Sequence, residues 1–531
     1  MILAENKFNL VDEPWIPVAE KGKVNLRQIF SDTSITSLGG NPVEKISVFK
    51  LLLAIAQSAC TPETEDDWKK LGCNGMRQKV DAYLTEHYDC FWLYGEKPFL
   101  QMPAIAKAEQ ADKKNNNPYE IGNGTFPDLF PENNTMVTEY DCKTISNDDA
   151  AKALFLISLE NFSFYGKQVN NKLWLNGEEK GGIAKPGPSL GFSNCLHTFC
   201  FGSCISESIY MNLITKAELE DTKIFGTSIG IPFWEKMPVN ETCEIAIKSK
   251  ETLLGHLVPL SRFVLYTDTL IYITEGITYH YSKADKKAGA AGADWIEQSF
   301  SWKLDKGEIK YLQADVNKKP WRSITALLMN KAEEEKYSTE TLRIFLSRIC
   351  SQKNLKQFTI WSGGLDVSGD SFGKKIKGND DYVESEIQIG TSVYTDSNDV
   401  RFYTNLTNEL QFINKRKDIL SECITRYYLR LTGSNPLTAS FKVRKSIRET
   451  KAMLPEQSYW QLCETKFQQL VTACAEDLSD DKARAMHKVF NSFVIQIYDE
   501  TRPKDSARQL DAWAENKPFM KKEKEEAEEN E

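Results

Sequence analysis

The chain is 531 residues long, 41% hydrophobic and 27% charged, which excludes a wholly disordered polymer and predicts two or three domains rather than one core. Its apolar runs, Leu51–Ala56 among them, fall far short of the roughly 18 residues a membrane-spanning helix needs, and Met1–Asn9 lacks the basic-then-apolar order of a secretion signal. A formal charge of −9, from 66 basic and 75 acidic residues, argues against a surface that coats nucleic acid throughout, yet allows a local basic contact.

In chain order, Phe8-Asn9-Leu10 reads as extended, and Pro14 and Pro17 forbid helix around Trp15. Gly22 then predicts a turn into a second strand-like piece, Val24–Phe30, making a small hairpin. Pro42 opens a helix in which Ile46, Phe49, Leu53 and Ala56 keep helical spacing, and Thr64–Tyr83 reads as further helix. Residues 107–147 are irregular, as are Tyr165–Asn194, with six Gly and two Pro, and Ser282–Asp294, rich in Lys, Ala and Gly. Loops of that length are usually functional or disordered. Between them lie a helix at Asp149–Glu160 and strands at Cys195–Phe201, Arg262–Tyr266, Leu270–Thr274 and Gln357–Ser362, the last followed by Gly363-Gly364.

From about residue 405 the pattern becomes helical: Leu406–Leu431, Glu456–Ala475, Asp480–Tyr498 and Asp505–Ala514 each space apolar residues by three and four. The expected fold is α+β, a large mixed α/β N-terminal domain with irregular loops followed by a C-terminal four-helix bundle. The expected boundaries are 1–400 for the first domain, 401–519 for the bundle and 520–531 for an acidic disordered tail with six Glu against three Lys.

Catalytic and metal signatures are sparse. Cys195, His197, Cys200 and Cys204 cluster, but without the paired spacing of a structural zinc site, so they read as a buried strand with small thiols and no metal is expected. Gly226-Thr227-Ser228-Ile229-Gly230 matches a nucleophile-elbow pattern, yet Pro232 blocks the helix that should follow. There is no phosphate loop ending in Gly-Lys-Ser/Thr, and the acidic pairs Asp366/Asp370 and Asp380/Asp381 read as solvated turns. No cofactor is expected. Twelve cysteines without a framework, and no visible signal peptide, predict free thiols in the cytoplasm, so Asn123, Asn133, Asn161, Asn240 and Asn405 head chance glycosylation triplets.

Phe8-Asn9-Leu10 … Pro14-Trp15-Ile16-Pro17-Val18, followed by Gly22-Lys23-Val24, resembles the start of the CasA-type large subunit of type I-E CRISPR Cascade. The resemblance continues at Phe91-Trp92-Leu93 … Pro98-Phe99-Leu100-Gln101, at Lys185-Pro186-Gly187-Pro188, at Pro259-Leu260-Ser261-Arg262 and at Tyr459-Trp460 … Phe467. It implies a non-catalytic subunit that reads the short protospacer-adjacent motif in duplex DNA and starts strand separation, while base pairing with the guide reads the rest. The implied partners are the backbone, small and handle-binding Cascade subunits, CRISPR RNA, target double-stranded DNA and a recruited or complex-borne nuclease. No membrane is implied.

Residue by residue, the resemblance places a minor-groove lysine among Lys283, Lys286 and Lys287, and a glycine loop at Gly166, with Lys167 or Gln168 able to replace lost glycine contacts. It places a strand-separating wedge in the hairpin at Gly364, Val367, Ser368 and Gly369, where Val367 or Phe372 would insert, and a guide-handle loop at Asn133, Asn134 and Thr135. Two rival readings are a cytosolic enzyme using Cys195, His197 and Cys200, and a scaffold whose bundle only bridges its neighbours.

Overall fold

In this computed structural model the described residues are 5–105, 119–120, 148–163, 187–189, 194–222, 228–267, 270–279, 297–305, 308–324, 328, 337–348, 355–366, 381–395, 399–435, 438–476 and 478–519. They fall into two compact units, one comprising Met1–Gln352 with Phe358–Ile387, the other Lys353–Gln357 with Gln388–Glu531. The fold is α+β, with a C-terminal helical region. No helix among the described residues is long and apolar enough to cross a membrane.

The first unit begins with short strands. β1 (Lys7–Asn9) pairs antiparallel with β4 (Trp92–Tyr94), and β2 (Ile16–Val18) pairs with β3 (Gly22–Val24). The expected strand Val24–Phe30 is corrected here: β3 stops at Val24 and helix α1 occupies Leu26–Ser31. Asn25 causes the switch. Its side chain accepts from the Gln28 amide (2.8 Å) while Gln28 Oε1 accepts from the Asn25 amide (3.0 Å), a reciprocal box that nucleates a helix.

Helix α2 (Pro42–Cys60) starts with the same device, Asn41 and Glu44 bracketing Pro42. It is buried on almost every side, as a helix through the middle of a core must be. Phe49 packs against Phe199 and Phe201, at 4.6 and 5.1 Å between ring centroids. α3 (Glu65–Glu86), capped by Thr64 and interrupted at Gly72, and α4 (Asp149–Phe162) both pack on α2.

The remaining strands form three sheets. β5 (Tyr119–Glu120), β8 (Leu270–Glu275) and β7 (Arg262–Tyr266) make one, with β8 central. β9 (Ser301–Asp305) lies between β10 (Glu308–Tyr311) and β11 (Tyr337–Thr339). In the third, β12 (Gln357–Asp366) lies between β13 (Asp381–Gly390) and β6 (His197–Phe201). The Pro-Phe-Leu-Gln segment stitches two sheets together. Gln101 Nε2 donates to the Leu93 carbonyl (2.6 Å) and its Oε1 accepts from the Tyr266 amide (2.7 Å).

The glycine pair needs a second correction. The strand expected to end at Ser362 runs on through Gly363 and Gly364 to Asp366 as β12. A Cβ on Gly364 would stand 2.7 Å from the Cys195 carbonyl oxygen and 3.0 Å from Ala314 Cβ. The glycines let neighbouring chain press against the strand.

In the second unit, α5 (Asp399–Leu431), α6 (Met453–Glu476) and α7 (Asp480–Thr501) pack mutually and α8 (Ala507–Glu515) packs on α5. Leu406, Leu410, Ile413, Leu420, Ile424 and Tyr427 form the buried stripe of α5; Tyr459, Cys463, Phe467 and Leu470 are buried on α6, and the Tyr459 hydroxyl donates to the Ile413 carbonyl (3.1 Å). The tail 520–531 lies outside the described residues.

Candidate nucleic-acid interface

Gly166, Lys167 and Gln168, Lys283, Lys286 and Lys287, Asn133, Asn134 and Thr135, and Val367, Ser368 and Gly369 all lie outside the described residues, as does Phe372. The described fold nevertheless fixes where three of the segments carrying them leave and re-enter it.

The glycine-loop segment leaves after Ser163, at the end of α4, and returns at Gly187. Its neck is closed by backbone bonds, Gly187 N to Ser163 O (2.7 Å) and Ser189 N to Asn161 O (3.0 Å). The chains approach so closely that a Cβ on Gly187 would sit 2.4 Å from the Asn161 carbonyl oxygen. The lysine segment leaves after Tyr279 and returns at Glu297, and both residues are buried. The wedge segment leaves at Asp366 and returns at Asp381, between two hydrogen-bonded strands. Asp366 is fastened at its base, accepting from Asn194 Nδ2 (2.8 Å) and from the Val316 amide (2.9 Å). That carboxylate is therefore engaged with protein donors.

These roots meet at His197. Along β6 its register partner is Gly363 of β12, and on the other edge it bridges to Phe300, three residues beyond Glu297. Its side chain joins the same pieces: Nε2 lies 3.2 Å from the Ser189 carbonyl oxygen, and Nδ1 lies 2.7 Å from Ser299 Oγ. A carbonyl only accepts, so a proton belongs on Nε2, while the Ser299 hydroxyl beside Nδ1 has only one proton to donate. Ser299 Oγ also reaches Glu297 Oε2, which is 3.6 Å from Nδ1.

Lys50, from the middle of α2, completes the cluster. Its Nζ donates to Ser189 Oγ (3.0 Å) and stands 3.7 Å from Glu297 Oε2, and Ser189 Oγ in turn donates to Asn161 Oδ1 (3.1 Å). Lys50, Asn161, Ser189, His197, Glu297 and Ser299 are all solvent-inaccessible or within 1% of it. Burial pulls the Lys50 ammonium below its ordinary range, and the Glu297 carboxylate counters that pull. Burial, reinforced by the Lys50 charge, holds His197 well below the usual imidazole value, so the ring is neutral.

A nucleophilic reading of this region conflicts with its chemistry. Burial pushes the Cys195 thiol up to about 12 and the Cys200 thiol well above its ordinary value, which suppresses the thiolate either would need. Cys204 turns instead toward Arg77 and Ser206. No three His, Cys, Asp or Glu side chains converge as a metal site among the described residues. Ser228 lies in an isolated bridge to Thr252, and no helix follows it through Trp234.

Sequence reasoning missed Lys50, Asn161, Ser189, Glu297 and Ser299. One signal was available: a lysine inside the apolar run Val48-Phe49-Lys50-Leu51-Leu52-Leu53 demands a buried partner. Nothing local marks Glu297 as that partner.

A curated relative, CRISPR-associated protein CasA/Cse1 of Thermus thermophilus, is 26% identical over 246 residues, 44% of this chain. The match spans 43% of that relative's length. Among solved structures, Thermus thermophilus CasA superposes with a TM-score of 0.68 at 17% identity, covering 96% of this chain and 98% of that one. Cse1 from Acidimicrobium ferrooxidans gives 0.65 at 14% identity over 97% and 96%. A chain of a CRISPR RNA-guided surveillance complex gives 0.63 at 14% over 96% and 98%, so these three establish a shared fold. Residues 9–497 match the family described as CRISPR-associated protein Cse1, and with a match of that extent the chain belongs to that family.

Proposed function

We propose that this chain is the large subunit of an RNA-guided, Cascade-type surveillance complex, where it reads the short motif beside a DNA target and starts strand separation. The observation that supports this most is the convergence on His197 of the glycine-loop neck, the return of the lysine segment and the strand leading to the wedge, in a chain of the Cse1 family. On this reading Lys283, Lys286 and Lys287 supply the minor-groove cation, and Gly166, Lys167 and Gln168 supply the close backbone approach. Val367, Ser368 and Gly369 form the wedge tip, and Asn133, Asn134 and Thr135 meet the guide's handle. The partners are the other Cascade subunits, CRISPR RNA, target duplex and a nuclease that cuts in this chain's stead. The chain acts without catalysis of its own, in the cytoplasm.

A variant with alanine at Lys283, Lys286 and Lys287, assembled into the complex, tests the reading. Binding of a motif-bearing duplex should weaken about fivefold, while binding of a pre-opened target changes little. Equal losses on both substrates would leave only non-specific phosphate contacts, which act uniformly across sequences.

A further inference from the structure

The necks of the two segments that the functional reading assigns to DNA are not separate features. One side chain lies between them. Lys50 Nζ donates to Ser189 Oγ, just past the glycine-loop neck, and faces Glu297 Oε2, at the return of the lysine segment, 3.7 Å away. His197 repeats the connection from the strand side, holding the Ser189 carbonyl with one nitrogen and Ser299 with the other. Ser189 closes the ring by donating to Asn161 Oδ1 on α4.

We infer that Lys50 is a positioning residue: with His197 it locks the glycine-loop neck to the return of the lysine segment, so that these two ends leave the fold from fixed relative positions, which motif discrimination by the segments depends on. The physical case rests on what each group would lose. The ammonium and carboxylate are both fully inaccessible, so neither has water to fall back on. Breaking the link strands a buried charge, which is relieved by neutralising that group or by letting one neck move away. A core built for stability alone would do as well with apolar side chains of the same volume, since buried ion pairs are weak stabilisers. A charge pair placed between two loop necks instead specifies a distance and an orientation. The inference rests on the functional reading above for what the fixed positions serve, but not for the linkage itself.

Two variants of the full-length chain test it, Lys50→Met and the double variant Lys50→Met with Glu297→Gln, which removes both charges and protects folding. Hydrogen exchange on the free protein reads the linkage, in peptides covering Asp149–Phe162, residues 187–201 and residues 297–305. Motif discrimination reads the consequence: the ratio of affinities of the guide-loaded complex for duplexes with intact and altered motif.

The expected result is faster exchange at both necks in Lys50→Met and a loss of about fivefold in motif discrimination, with pre-opened target bound as before. The double variant should regain thermal stability without regaining discrimination. Exchange confined to α2 with both necks protected would overturn the inference. If Lys50→Met does not fold, a double variant that discriminates as the parent does would overturn it equally. Discrimination retained in Lys50→Met but lost in the loop-lysine variant would also overturn it. If both necks loosen and neither Lys50→Met nor the loop-lysine variant alters discrimination, the linkage is upheld and the functional reading is what has failed.

Discussion

Removing Val367–Gly369 should slow the opening of a linear duplex target about tenfold while leaving the final affinity of the complex nearly unchanged. On the proposed reading the wedge segment leaves from a firm base. β12 is the middle strand of its sheet, and its last residue, Asp366, is tied to Asn194 and Val316. A tip carried on such a base can press on a base pair without the base giving way. Opening the first step costs on the order of 1–2 kcal/mol of stacking, after which exchange of DNA pairs for guide pairs is close to balanced. A wedge that offsets this first cost therefore acts on the rate. Fluorescence of 2-aminopurine at the first displaced positions, followed over time, reads it directly. Negative supercoiling or a mismatch beside the motif should restore the speed. Equal slowing on matched and pre-mismatched targets would make Val367–Gly369 an ordinary connection, with strand separation begun elsewhere.

The second large effect concerns acid. His256, in the helix Leu253–Leu257, is 4% exposed; its Nε2 donates to the Lys250 carbonyl (2.8 Å) and its ring edge meets Tyr279. Burial lowers it from the ordinary 6.5 to about 4; the Lys250 carbonyl works against this and the Lys50 charge adds to it. The unfolded chain thus takes up a proton near 6.5 that the folded chain refuses until about 4. Stability from this group is complete above the higher value and is lost as pH falls toward the lower one, summing to about 3 kcal/mol. His197, buried and neutral, contributes with the same sign. Denaturant unfolding of the parent and of His256→Gln, which keeps a donor for Lys250, isolates the effect. The stability gap between them at pH 7.5 should shrink by about 2–3 kcal/mol at pH 4.5. A gap independent of pH would show that the His256 site accepts the proton freely.

What could be read in advance follows from how local each cause is. α2 was legible because Pro42 and the spacing of Ile46, Phe49 and Leu53 are written within one stretch of chain, and the helices of the second unit were legible for the same reason. Leu26–Ser31 was misread because its apolar residues fit an extended pattern, and only the Asn25–Gln28 box told against it. Gly363 and Gly364 marked the expected end of the strand because glycine's weak preference for strands is a local property, whereas at Gly364 its value lies in Cys195 and Ala314 pressing from elsewhere. The frame of the candidate interface was less legible still. Lys50 and Ser189 are 139 positions apart, and His197 and Ser299 are 102 apart. No periodicity or spacing rule reaches across such intervals. The family resemblance supplied candidate residues for the loops, and the folded chain supplied the cluster beneath two of them.

The most direct measurement is association of the guide-loaded complex, with and without this chain, to linear duplexes whose target is flanked by an intact or a scrambled motif. Complexes containing the chain should open the intact-motif duplex and largely ignore the scrambled one, and complexes lacking it should treat the two alike. Motif discrimination that persists when the chain is left out, or that is absent when it is present, would contradict its assignment as the motif reader.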